Sequence, residues 1–220
     1  MTSSTTSTFA PTSTSPGPDR LYYAYDPMCS WCWGFRPVWD ALKKELPSDL
    51  ELVYLAGGLA PDNDQPMPEA MQQAIQGYWR DIQSQLGTEF NFDFWNNNVP
   101  RRSTYISCRA AIAAANQGAQ EQMIDAVQRA YYLRALNPSD VPVLVQLAQE
   151  LGLDAEQFET DLLSDAVQQT FEQQMTLARQ LPIDGFPSLV LETERGVVRL
   201  SREYRDHNVL LRQIQSLHAN

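Results

Sequence analysis

The chain is poor in three things. It holds 3 Cys in 220 residues, an odd count and too few for a disulfide-built scaffold, so the core must come from buried apolar side chains. It has no apolar run near the ~20 residues that a bilayer span requires, so no membrane partner is expected. Basic residues are scarce as well: 16 Lys+Arg stand against 27 Asp+Glu, for a formal net charge of −11. Without a basic run, such a surface repels phosphate, so no nucleic-acid partner is expected. What is present, 43% apolar and 20% charged residues, is the composition of an ordinary globular protein of one domain or one domain with an insertion.

Residues 1–19 contain five Ser, six Thr and three Pro, and cannot bury enough surface to offset chain entropy. They read as a disordered tail. The segment lacks the basic start and the apolar stretch of a secretory signal, and its first arginine is Arg20. The expected compartment is therefore the cytoplasm, where thiols stay reduced.

From Arg20 the pattern changes. Leu21–Tyr25 is an apolar, aromatic-rich run closed by Asp26-Pro27, which predicts a buried strand. A helix follows to about Leu46, with Val38, Trp39 and Leu42 facing the core and Pro37 inside it. Leu50–Leu55 is a second strand ended by Gly57-Gly58, so the sheet should begin as a parallel βαβ unit. The next hundred residues show helical spacing and no convincing strand: 68–86, 103–117, 121–136, a helix around Leu144–Leu151, a short one capped by Asp154 with Gln157 three residues on, and 165–180. Strand character returns at Pro187–Glu192 and Val197–Leu200, a hairpin turning at Glu194-Arg195-Gly196, before a last amphipathic helix through Val209 and Leu217. The order βαβ, helical block, ββα predicts an α/β thioredoxin fold with a large all-helical insertion. The expected boundaries are 1–19 tail, 20–60 first thioredoxin part, 61–165 insertion and 166–220 second part.

Cys29-Ser30-Trp31-Cys32 carries the chemistry. It falls between a strand end and a helix start, where unpaired N–H groups and the helix dipole stabilise a thiolate. A thiolate is the nucleophile of thiol–disulfide exchange, and a second cysteine one turn on can resolve the mixed disulfide. Cys29 is expected exposed and Cys32 tucked against the helix. Gly185-Phe186-Pro187-Ser188 precedes the returning strand; a cis X-Pro turn there would set the Phe186 backbone beside the thiols, ready to pair with an extended peptide.

Asp26-Pro27-Met28-Cys29-Ser30-Trp31-Cys32-Trp33-Gly34-Phe35, with Gly185–Ser188, resembles the DsbA-like branch of the thioredoxin superfamily, especially its cytoplasmic protein-disulfide isomerase group. The resemblance spans roughly residues 20–217. It implies thiol–disulfide oxidoreductase activity on disulfide-containing proteins, peptides or glutathione, with Cys29 attacking, Cys32 resolving and Pro187 as the cis-proline. No cofactor or metal is expected beyond the Cys29–Cys32 pair. Two departures stand out. Many relatives carry a buried acid six residues before the first cysteine, and here that position is Tyr23. The dipeptide Ser30-Trp31 also lacks the histidine of the exported oxidant, so a less depressed Cys29 pKa and a more reducing couple are expected.

Competing readings are weaker. Zinc would need two further ligands from Cys108, His207 and His218, none in a closely spaced pair. Cys108 reads as a small core residue and both histidines as solvated surface. Trp31 and Phe186 are candidate substrate-binding residues. The alternative enzyme class is a glutathione-dependent isomerase or transferase of the 2-hydroxychromene-2-carboxylate isomerase or kappa glutathione transferase type, whose members usually have serine where Cys29 stands. A non-catalytic binding module is the third reading.

Overall fold

The computed structural model describes residues 17–218. The tail expected over 1–19 falls almost wholly outside them. The described residues form four strands and nine helices. The sheet has the order β2-β1-β3-β4. β1 (Arg20–Tyr25) pairs in parallel with β2 (Glu51–Ala56) and antiparallel with β3 (Ser188–Thr193), which pairs antiparallel with β4 (Gly196–Arg199). Five of the six β1 residues are buried, as the central strand of a sheet covered on both faces must be.

Alternation along β1 sorts the two faces. Leu21, Tyr23 and Tyr25 point to the face covered by α1 (Ser30–Lys43) and the C-terminal helix, where Tyr23 stacks on Trp39 with ring centroids 4.3 Å apart. Tyr22 and Ala24 point the other way, with Leu55 and Val190, against Leu177 and Leu181. α1 ends at Lys43, a few residues before the Leu46 expected, and runs unbroken through Pro37.

Between β2 and β3 the chain is helical: α2 (Glu69–Leu86), α3 (Phe94–Asn97), α4 (Tyr105–Ala115), α5 (Gln120–Tyr132), α6 (Val141–Glu150), α7 (Ala155–Leu162) and α8 (Asp165–Gln180). α3 is a single turn that no periodicity announces. α4 is the axis of this region. Cys108, Ala110, Ala111, Ala113 and Ala114 on it are buried, and their small side chains let neighbouring helices approach closely. A second core is aromatic: Trp79 lies 5.1 Å from Phe90 and 5.4 Å from each of Tyr131 and Tyr132 between ring centroids. Trp33 of α1 stacks on Tyr132 at 5.7 Å, which ties the helical region to the helix carrying the cysteines.

Local signals are mostly realised. Asp154 accepts the Gln157 N–H at 3.0 Å as an N-cap should. The return half of a capping box is absent, because the Asp154 N–H is taken by Gln117 instead. Both histidines depart from the solvated reading. His207 Nε2 meets Glu45 at 2.8 Å, and His218, part-buried near the end of α9 (His207–His218), bridges Asp19 and Asp49. Strand β1 and α9 bring these carboxylates within reach, a juxtaposition that local sequence does not encode. No helix among the described residues is long and apolar enough to cross a membrane.

Candidate active site

β1 delivers the chain to the site, and Asp26-Pro27-Met28 turns it into α1. The Cys29 N–H donates to the Asp26 carbonyl at 3.0 Å, closing the turn, and the Cys29 carbonyl accepts from Trp33 N at 3.1 Å, opening the helix. Cys29 is thus the N-cap residue of α1, in extended conformation and without a side-chain cap, so its sulfur is free to interact with other partners. Among the described residues Cys29, Cys32 and Cys108 are all free thiols.

Two residues separate the pair, and the helix sets them one against the other. The Cys32 thiol hydrogen-bonds the Cys29 sulfur, and backbone groups of Trp31 and Cys32 add to it; together they draw the Cys29 pKa below the ordinary thiol value, against burial and the nearby Asp26 charge. Cys32 moves the opposite way. Burial first, then donation to Cys29, holds its pKa well above the usual thiol range. One sulfur is therefore prepared as an anion and the other as a proton-bearing reserve.

The Phe186–Pro187 bond is cis, and the Phe186 carbonyl lies 3.5 Å from Cys29 Sγ. Across from this turn sits Gly57, where a Cβ would fall 1.9 Å from the Phe186 ring, so the ring can occupy its place only because position 57 has no side chain. Gly58 has φ +68, and a Cβ there would fall 2.7 Å from the Tyr105 ring. The closure of this turn corrects one expectation. Cys29 is not openly exposed: its relative exposure is 7%, against 0% for Cys32. Trp31 is half-buried, edge-on to Tyr204 at 5.2 Å.

On the other side of the turn stands a polar niche that the motif alone did not reveal. Asp26 is fully buried. Its Oδ1 accepts from Met28 N at 2.8 Å, and its Oδ2 accepts from Thr104 Oγ1 at 2.6 Å, Leu59 N at 2.7 Å and the Cys108 thiol at 3.6 Å. Burial still lifts its pKa above the normal carboxylate range, with the four donors pulling it back. Met28 is packed similarly, its sulfur 3.2 Å from Ser107 Oγ. Tyr23, at the position where relatives carry an acid, is a stacked core aromatic with its hydroxyl pKa raised by burial. The available signals were the Asp26-Pro27 pair at the strand end and the polar Ser103-Thr104 step just before an alanine-rich helix. Neither indicates that the two meet. Cys108 is fully buried, and no group of three or more His, Cys, Asp or Glu among the described residues is placed to hold a metal.

A sheet of this order, an inserted helical region and a cysteine pair at the first turn of α1 opposite a cis-proline define a thioredoxin-fold protein of the inserted type. The model of the DSBA-like thioredoxin domain matches residues 22–202, and the chain belongs to that family. A candidate protein disulfide isomerase from Nitrosomonas europaea superposes with a TM-score of 0.79 at 27% identity, over 91% of this chain and 99% of that one. The cytosolic disulfide reductase DsbM of Pseudomonas aeruginosa, crystallised with GSH, superposes with a TM-score of 0.73 at 25% identity, covering 90% of this chain and 98% of that one. In sequence, the chain is 27% identical over 176 residues to the ClpXP adapter protein SpxH of Bacillus subtilis, covering 78% of this chain and 58% of the relative, so it spans little more than half the length of that protein.

Proposed function

We propose that the chain is a dithiol–disulfide oxidoreductase working through Cys29 and Cys32. The observation that carries this reading is the asymmetry of the pair: an N-cap sulfur with a lowered pKa, hydrogen-bonded by a buried partner with a raised one, beside the backbone carbonyl of Phe186. The Cys29 thiolate attacks one sulfur of a substrate disulfide. A mixed disulfide forms and the other substrate sulfur leaves as a thiolate that takes up a proton. Cys32 then loses its proton and attacks Cys29 Sγ; the Cys29–Cys32 bond forms, the mixed disulfide breaks, and the second substrate thiol departs. Two electrons pass from the dithiol to the substrate, and the reverse sequence oxidises. Phe186 and Trp31 would flank an extended substrate at the opening, with Pro187 shaping the turn. The cytosolic reductase among the structural neighbours supports a cytoplasmic setting, with glutathione as a reductant or substrate.

Insulin reduction by dithiothreitol tests the reading. Wild type accelerates turbidity and Cys29→Ser does not, while pre-reduced Cys32→Ser mixed with insulin in the absence of dithiothreitol reacts once and stops as a mixed disulfide. A wild type no faster than dithiothreitol alone overturns it. The neighbour crystallised with GSH favours one second reading, a glutathione-dependent transferase or isomerase. Under it, Cys32→Ser would keep full multiple-turnover activity with glutathione. One of the relatives is named an adapter protein, and an adapter role in this chain would survive Cys29→Ser.

A further inference from the structure

Asp26 is a buried carboxylate with no cation on it. Its four hydrogen-bond donors are two backbone N–H groups, one hydroxyl and one thiol, and among the described residues no Lys, Arg or His forms an ion pair with it. A buried carboxylate without a countercharge acts at a distance on every other group whose charge can change nearby, because the interior screens poorly. Those groups are the two cysteines of α1, Cys108 on α4, Tyr25 on β1, and Tyr131 and Tyr132 on α5. Arg109, the cation of α4 that reaches toward Cys108, is paired with Asp62 at 2.8 Å. The tyrosines hold their protons to high pH, so at neutral pH the Cys29 sulfur is the group on which this charge can act.

The dithiol reading set out above is the premise here. We propose that the ionised Asp26 carboxylate, held in place from the helical insertion by Thr104, sets the poise of the Cys29–Cys32 couple toward the reducing side. A thiolate at Cys29 stabilises the dithiol state and makes the disulfide a stronger oxidant. A fixed negative charge three residues upstream opposes that thiolate and so favours the disulfide of this protein over that of its substrate. Asp26 is a positioning residue in this scheme, acting through the cysteines without touching substrate. The insertion takes part through two side chains, the Thr104 hydroxyl at 2.6 Å and the Cys108 thiol at 3.6 Å, and the shorter bond from Thr104 is the one that most favours the ionised carboxylate.

The full chain, equilibrated in glutathione redox buffers of neutral to mildly alkaline pH, provides the test, together with the pH profile of Cys29 alkylation. Asp26→Asn is expected to shift the equilibrium about tenfold toward the dithiol and move the alkylation profile to lower pH, a pKa unit being a factor of ten. Thr104→Val should shift both readouts the same way by less, because a carboxyl without that donor keeps its proton longer. Thr104→Ser, which retains the hydroxyl, should match wild type. A purely structural role would lower stability and leave both readouts in place. Unchanged or opposite shifts in Asp26→Asn overturn the proposal. Should that variant not fold, equal readouts for Thr104→Val and Thr104→Ser overturn it. A wild-type pair that forms no disulfide in any of these buffers removes the exchange reading and the role of Asp26 with it. An intact couple indifferent to these substitutions removes the role of Asp26 alone.

Discussion

The two cysteines lie between walls of different make. On the sheet side the groups offered to Cys29 are backbone: the Phe186 carbonyl, and the N–H groups of the first turn of α1. On the insertion side they are side chains: the Thr104 and Ser107 hydroxyls and the Cys108 thiol, gathered around Asp26 and Met28. A backbone wall depends on the path of the chain and accepts many substrates, because every peptide carries the same amide groups. A side-chain wall depends on residue identity and can be retuned by one substitution. The sheet side therefore offers what any thiol–disulfide exchange would need, and the insertion side is where residue identity sets the surroundings of the turn.

The largest effect expected is at the centre of the comparison. Cys29→Ser removes the nucleophile that both walls serve, and insulin reduction should fall to the rate with dithiothreitol alone. Next comes the support of the insertion side. Trp79 is fully buried at the hub of the aromatic core, and Trp79→Ala should cost about 3–5 kcal/mol in urea unfolding; a loss below ~1 kcal/mol would mean that the nest does not hold this wall. On the sheet side, Gly57→Ala forces the Phe186 ring away from a Cβ 1.9 Å distant and should cost about 1–3 kcal/mol while slowing Cys29 alkylation. Gly77→Ala on α2 is the control, since a Cβ there meets nothing within 4 Å; a gain of up to about 1 kcal/mol is expected.

The smallest effect lies away from both walls. Hydrogen bonding to Asp19 raises the His218 pKa above its ordinary 6.5. A raised folded-state value means that the stabilisation is complete below the unfolded value and is lost as pH rises through the folded one. Wild type should accordingly exceed His218→Gln in melting temperature at mildly acidic pH, and the margin should narrow as pH rises. A margin that grows with pH would contradict the assignment of Asp19 as the partner.

How far the sequence carried can be read from particular residues. Tyr22 and Tyr23, one apolar run, were legible as a strand because burial on both faces of a sheet demands such runs. The helices on either side of Gly152 were legible from spacing and stop signals. The cis turn at Pro187 was placed beside Cys29 by the order of elements, and the Phe186 carbonyl stands there. The exposure of Cys29 was misjudged, because covering a sulfur is the work of a loop 157 residues away. The histidines were misjudged for the same reason, with Asp19 and Glu45 distant in sequence.

The sequence by itself determined the βαβ and ββα ends, the helical stretch between them and the pair at positions 29 and 32, since periodicity, turn residues and cysteine spacing are all local properties. Only the tertiary structure decided which carboxylate stands behind the sulfurs. Asp26 meets Thr104 across 78 residues because the turn after β1 reaches the N-terminal end of α4, and a charge buried at that junction acts through space, where neighbours along the chain have no special claim.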